Sequence, residues 1–285
     1  MPLFVVRGLL QMANELLPDE IELHRDRMWR REPERLIADA NAAEHFIESV
    51  GFCSALTDAR RPGPSLFIAV CGRRDAHLPR NVQKDPESNF TWVLKDELMR
   101  RGRVYYAKLA RGRATFVSRK MVRYFYSLWG VPRSKEAATL TPAARAILKA
   151  LRKEWEMGTR DLQRASAITE RSQFLRAMDE LQRAFKLIPG EAVYHPTFTY
   201  IWTLPESRFP EELRVVCGRE DSLREVARAF LIGAGMTVRG ELARVTGLSA
   251  PDAGLGNWAL VDEEFSVRLR PGVYQLKELL RGPGA

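Results

Sequence analysis

The sequence predicts an α+β protein, mostly helical, built on tandem winged helix-turn-helix modules. Three observations carry this: an eleven-residue stretch that occurs twice, helical periodicity flanking each copy, and a strand pair behind each. Thr159–Thr169 and Arg239–Ser249 align without gaps from Leu162 and Leu242. Both then read Leu, any residue, Arg, a small or branched apolar residue, Ser or Thr, Ala or Gly, Ile or Leu, and Thr or Ser.

Each copy fits the short middle helix of a helix-turn-helix and the turn that leaves it. Leu162 and Ala165, three apart, share one face of a helix too short to stand unpacked. Ser166 competes for backbone hydrogen bonds and lets the chain turn. Ile168 then enters the core and Thr169 caps the next helix. Leu242, Val245, Thr246, Gly247, Leu248 and Ser249 repeat these roles.

The flanks match. Thr141 caps a helix with Ala144, Ile147, Leu148, Leu151 and Trp155 at three-and-four spacing, ended by Met157-Gly158. After Thr169 a third helix carries Phe174, Leu175, Met178, Leu181 and Phe185 inward and Ser172, Arg176, Asp179 and Arg183 outward. Lys186–Ile188, a turn at Pro189-Gly190, and Tyr194–Leu204 read as a hairpin. Around the second copy stand Leu223–Leu231, a break at Gly233-Ala-Gly235, a helix after Ser249 with Pro251 near its start, and strands Phe265–Leu269 and Val273–Leu276 across Pro271-Gly272.

Length and charge bound the function. The 285 residues suffice for two or three domains, and 45 Lys and Arg against 36 Asp and Glu leave +9, a balance that favours polyanions. Cys53, Cys71 and Cys217 form neither a disulfide framework nor a zinc pattern, which fits a reducing cytoplasm. No run reaches the length of a membrane span. Pro2–Leu10 lacks the marks of a signal peptide and reads as a first helix with Phe4, Val5, Leu9 and Met12 on one face, broken by Asn14–Pro18.

Further along, His24–Arg35 reads as a solvated charged helix around Met28 and Trp29. Asn41 is placed to cap a helix carrying Ala43, Phe46, Ile47 and Val50 and closed by Gly51. Ser65–Val70, after the turn Arg61-Pro-Gly-Pro64, reads as a strand, and Arg73–Ser88 as a loop.

From Leu98 to Lys135 there are eleven Lys or Arg residues and no Asp or Glu. Tyr105, Tyr106, Phe116, Tyr124, Phe125, Tyr126 and Trp129 are interleaved. Val104–Leu109 and Ala114–Val117 form strands joined at Arg111-Gly112, so the tip presents Lys108, Arg111 and Arg113 together, and Ser118 caps a helix ended by Gly130. Uncompensated cations attract phosphates, each contact releasing counterions. The competing reading pairs these charges with acids elsewhere, such as those of Asp19–Glu34; helical spacing of Tyr124, Phe125 and Trp129 suits a core. Val131–Leu140 and Pro205–Val216 read as linkers, and Arg281–Ala285 as a fraying end.

No Walker loop, dinucleotide Gly motif or metalloprotease helix is present, and His24, His45, His77 and His195 are scattered; neither cofactor nor metal is expected. Arginine on a recognition helix reads guanine edges or phosphates. The candidate DNA contacts are Lys108, Arg111, Arg113, Lys120, Arg123, Arg164, Arg171, Ser172, Arg176 and Arg183. The division expected is a basic α+β domain with a β-hairpin over 1–135, a winged helix-turn-helix over 141–204 and a second such module over 222–280.

With these pieces placed, the sequence resembles the winged-helix crosslink-repair DNA glycosylases of the AlkZ/YcaQ type. The helix and Gly turn at Ala42–Phe52, Trp92 with Lys95-Asp96-Glu97, Arg103-Val-Tyr-Tyr-Ala-Lys108, Ala114-Thr-Phe-Val-Ser118 and the modules after Thr141 carry the resemblance. It implies tandem winged helices cradling double-stranded DNA and, in active members, excision of alkylated bases by a Gln-x-Gln pair. That pair would fall just after Gly51-Phe52, where this sequence has Cys53, Ser54, Ala55 and Leu56; Gln11 and Gln83 have no matching context. The catalytic residue is thus unassigned. The reading is duplex DNA binding, with lesion recognition or excision; a non-enzymatic regulator and a protein-interaction scaffold are the alternatives, and the oligomeric state stays open.

Overall fold

The computed structural model of the protein describes residues 17–280. The helix expected over Pro2–Leu10 and the terminal Arg281–Ala285 lie outside them. Among the described residues no helix is long and apolar enough to cross a membrane.

One order of elements occurs three times: helix, short strand, helix, helix, hairpin. After α1 (Asp19–Met28), the first unit runs α2 (Ala40–Val50), β1 (Phe52–Ser54), α3 (Leu66–Cys71), α4 (Pro86–Arg101), β2 (Tyr105–Lys108) and β3 (Ala114–Val117). Helix α5 (Arg119–Trp129) and the short α6 (Glu136–Thr139) lead to the second unit. It comprises α7 (Pro142–Glu154), β4 (Glu156–Gly158), α8 (Thr159–Ala165), α9 (Arg171–Arg183), β5 (Ile188–Val193) and β6 (Thr199–Thr203). After α10 (Pro210–Arg214), the third unit comprises α11 (Arg219–Ala234), β7 (Met236–Thr237), α12 (Glu241–Thr246), α13 (Ala250–Asp262), β8 (Ser266–Arg270) and β9 (Val273–Leu276). Each sheet is antiparallel with its last strand in the middle, in the orders β1-β3-β2, β4-β6-β5 and β7-β9-β8. The fold is therefore α+β, mostly helical, with tandem winged helix-turn-helix units, and the N-terminal part repeats the topology of the other two.

Caps set several boundaries. Thr141 accepts from the Ala144 amide at 3.3 Å and Ser249 from the Asp252 amide at 3.2 Å, as the sequence predicts. Helix α2 is capped by Asp39, whose carboxylate accepts from the Ala42 amide at 2.8 Å, and not by Asn41. A carboxylate at the cap also favours the positive end of the helix dipole. Helix α9 begins at Arg171 with Glu170 in the cap position, so Thr169 does not cap it.

Other expectations change. Ser65–Val70 is not a strand: Leu66–Cys71 is a helix with all six residues buried. An unbroken apolar run has no periodicity to separate a buried strand from a buried helix turn. Pro189-Gly190 lies inside β5 at a register shift, and the chain turns after Val193 instead. Trp155 ends α7 at positive φ and is exposed, Met157-Gly158 belongs to β4, and Ala165 and Leu175 are exposed while Ser166 is buried. Helix α11 passes through Gly233 and stops at Gly235.

Nor is α1 a solvated helix. Arg25 and Asp26 are buried, and Trp29 lies in the core beside them. Arg25 donates to the carbonyls of Ala234 at 2.9 Å and Met236 at 2.6 Å and to Glu241 at 3.0 Å, fixing α1 to the third unit.

One apolar core runs through the first and third units, from Trp29 and Phe46 to Phe230 and Leu276, while the second unit closes around Leu148, Phe174 and Leu181. The two are joined by stacking of Tyr105 on Phe185, ring centroids 4.7 Å apart, while buried Glu136 of α6 is held to the second unit, accepting from Arg152 and Lys186 at 2.7 to 2.8 Å.

Candidate nucleic-acid interface

The β2–β3 hairpin stands between the second and third units. Its alternation buries Tyr105 and Ala107 and leaves Lys108 exposed. Arg111 and Gly112 both take left-handed backbone, φ 52° and 73°, while Gly112 and Arg113 donate back to Leu109 and Ala110 at 3.1 and 3.0 Å. For an arginine this conformation costs about 1 to 2 kcal/mol, so the surrounding structure must hold it.

Ion pairing, part local and part long-range, divides the basic run of 98–135. Arg100 and Arg101 pair with Glu97, Arg101 and Arg103 with Glu44, Arg119 with Glu212, and Lys108 with Asp179 at 3.0 Å. The acids come from α2, α4, α9 and α10, not from Asp19–Glu34 of the competing reading. Arg111, Arg113, Lys120, Arg123, Arg133 and Lys135 have no acidic partner among the described residues.

Arg111 and Arg113 are joined by Arg61, which the sequence reading treated only as part of a turn. Burial and then repulsion from Arg61 and Arg111 hold the Arg113 guanidinium below its usual value. None of the three has a compensating carboxylate among the described residues. On the other side, Arg111 shares a cavity with Arg183 at the end of α9. The structure thus assembles a strip of Arg61, Arg113, Arg111 and Arg183 from three distant parts of the chain. The adjacent Arg60-Arg61 pair was the one cue to its first member.

The other sequence candidates lie elsewhere. Lys120 and Arg123 line a separate cleft between α5 and α11 with Glu225 and Arg228. Arg164 pairs with Asp161 at 3.5 Å and Arg176 with Glu170 at 3.9 Å, both largely exposed. Arg171 is exposed, and Ser172 donates to Glu170. The exposed outer face of α9 is therefore partly occupied by its own acids.

Beside the strip, where β1 runs out, lies a cleft lined by Leu56, Thr57, Asp58, Arg60, Leu78 and Arg113. Cys53 is wholly buried and its thiol is pushed far up by that burial. Ser54 is bound through its amide to the Pro64 carbonyl at 3.0 Å, and Ala55 through its amide to Ala114 at 2.9 Å. Asp58 is the carboxylate here. It accepts from Arg60 Nε at 2.8 Å and from the amides of Arg60 and Leu78 at 3.2 Å, which hold its pKa down at about 2, with Arg60 the main cause. Its lone pairs are engaged, so it anchors the loop that carries Arg61.

A family profile described as AlkZ related matches residues 37–198, more than half of the 285. Among solved structures, the chain is similar to the Streptomyces sahachiroi DNA glycosylase AlkZ, with a TM-score of 0.57 at 15% sequence identity. That match covers 93% of this chain and 71% of the other, and at such identity it is a likeness of fold. No curated protein matches by sequence. Its profile match over the first unit and most of the second, and a topology shared across almost the whole chain, lead to one assignment: the chain belongs to the AlkZ-related family.

Proposed function

We infer that this protein binds duplex DNA along the strip of Arg61, Arg113, Arg111 and Arg183 and recognises alkylated or crosslinked bases there. The observation that carries the reading is the convergence of Arg61, Arg113, Arg111 and Arg183 from three parts of the chain, none with an acidic partner among the described residues. A folded chain keeps such a cluster at a cost in stability, and phosphate oxygens relieve it on binding. The name and fold of the Streptomyces glycosylase support a DNA substrate for this relative.

Between recognition and excision, this reading takes recognition as the activity. The positions after Phe52 offer a buried thiol, a hydroxyl and aliphatic side chains, and none of these orients a water as a pair of carboxamides does. Asp58, with its oxygens engaged by Arg60 and two amides, is not free to act as a general base. Binding to plain, crosslinked and abasic duplexes across a salt series, read together with product formation, tests this. Preference for a modified duplex without abasic product is expected; equal affinity for all three removes lesion recognition. A footprint at one preferred sequence selects the regulator instead.

A further inference from the structure

We propose that the cavity where the three units meet takes a single unpaired nucleobase from the bound duplex, with Arg111 and Arg183 holding the phosphates on either side of it. The proposal rests on the DNA-binding reading and adds to it the chemical class of the group recognised.

The cavity encloses about 190 Å³ and is lined by Leu109, Phe125, Trp129 and Phe185, with Arg111 and Arg183 at its exposed rim and the Thr246-Gly247 turn closing the third side. Drug-sized ligands and cofactors need pockets from about 300 Å³ upward, so this one suits one aromatic ring system and no more. Trp129 is the part-exposed ring on which a base can stack, and buried Phe125 and Phe185 back it. Phe125 and Trp129 have ring centroids 5.1 Å apart, and Phe185 is fixed by stacking on buried Tyr105. Only Trp129 among these aromatics is part-exposed.

Each unit contributes a left-handed residue to the lining: Arg111 at φ 52°, Phe185 at φ 57° and Gly247 at φ 80°. Two of the three are not glycine. Backbone held in this region by its surroundings gathers at ligand sites, where the strain keeps a side chain in place. Here it sets one rim cation and one aromatic wall. Gly247 has a separate reason, since a Cβ there would sit 3.2 Å from the Ala110 Cβ and push the third unit off the hairpin.

Charge and hydrogen bonding agree. Neither rim arginine has an acidic partner among the described residues, so both are available to phosphate. The Thr246 hydroxyl donates to the Leu242 carbonyl at 2.7 Å and accepts from the Leu248 amide at 3.3 Å. The side-chain donors left are the Trp129 indole N–H and the two guanidinium groups. Such a lining stacks any base and detects that it is unpaired rather than which base it is. A mismatched or damaged base is the least costly to extrude, which gives the selectivity.

The test compares a fully paired duplex with one carrying a single unpaired 2-aminopurine, for the wild-type chain, Trp129→Ala, Trp129→Phe and Arg183→Ala. The wild type should favour the unpaired base by roughly tenfold or more and change the 2-aminopurine emission. Trp129→Ala should reduce the preference to near one without altering affinity for the paired duplex, while Trp129→Phe keeps most of it. Should Trp129→Ala fail to fold, Arg183→Ala, at an exposed position, carries the comparison and should cut the preference several-fold. Equal wild-type affinity for the two duplexes, or a preference that survives both alanine variants, overturns the pocket while leaving DNA binding standing. Absence of binding to either duplex overturns the DNA reading and the pocket with it.

Discussion

Lys108 Nζ lies 3.0 Å from Asp179 Oδ1, so the first residue of the hairpin's cationic tip is neutralised by the helix expected to read DNA. The Lys108 amide also donates to the Gln182 side chain at 3.0 Å, locking β2 against α9. Lys108 is about half exposed and Asp179 about a third, so the pair contributes about 0 to 1 kcal/mol. Asp179→Asn should thus cost little stability yet free Lys108 for phosphate. A several-fold rise in duplex affinity at low salt, vanishing as salt screens it, is the expected outcome of a titration; unchanged affinity would mean that Lys108 lies off the DNA path.

Charge reversal along the strip acts through the salt dependence. If Arg111 and Arg113 each neutralise one phosphate, the double variant Arg111→Glu/Arg113→Glu should reduce the slope of log affinity against log salt by about 2. Adding Arg61→Glu should take away about one more, because each contact contributes ~0.9. Fluorescence anisotropy at four or five salt concentrations measures this, and a slope that does not move removes the strip from the interface.

Arg111→Gly separates stability from binding. Glycine tolerates φ 52° where arginine is strained, so the variant should unfold later, by about 1 kcal/mol, while binding duplex DNA more weakly. Urea denaturation and a binding titration on one preparation check both halves. A variant less stable than the wild type would show that the arginine stem packs at the tip.

The buried pair of Arg25 and Glu241 ties α1 to the third unit. Glu241→Ala leaves the Arg25 guanidinium with the Ala234 and Met236 carbonyls and the Trp29 ring but no counter-charge, and removes the acceptor of the Val238 amide. A loss of about 3 to 5 kcal/mol is expected from the urea midpoint, in line with a buried ion left without its partner. A loss below 1 kcal/mol would show that water reaches the site.

Acid should act through Asp58. Its carboxyl titrates at about 2 in the folded chain, below the ordinary unfolded value of ~3.9. A depressed carboxyl contributes stability above the unfolded value and loses it as pH falls through the folded one. The urea midpoint should therefore decline between about pH 4 and pH 2, and Asp58→Asn should flatten that decline while lowering stability at neutral pH. An unchanged acid profile in the variant would place the titrating group elsewhere.

Periodicity, capping and turn chemistry act within about ten residues, and those are the features the sequence determined. Thr141 and Ser249 announce their helices, Leu162 and Leu242 mark the middle helices, and the alternation of Tyr105–Lys108 with the Arg111-Gly112 turn defines the hairpin. The first of the three units stayed hidden because its middle helix, Leu66–Cys71, is apolar at every position and has no polar face to betray a period. A long loop also separates it from β1. Tertiary structure alone decided which cations stay free. Asp179, Glu44 and Glu212 reach the basic run from far along the chain, and only docking of the units shows that Lys108 is matched while Arg111 is not. The same docking brings Arg61 to Arg113 and closes Phe185, Trp129 and Gly247 around one cavity. Coulomb pairing and enclosure depend on distance in space, and a linear pattern of residue types carries no record of that distance.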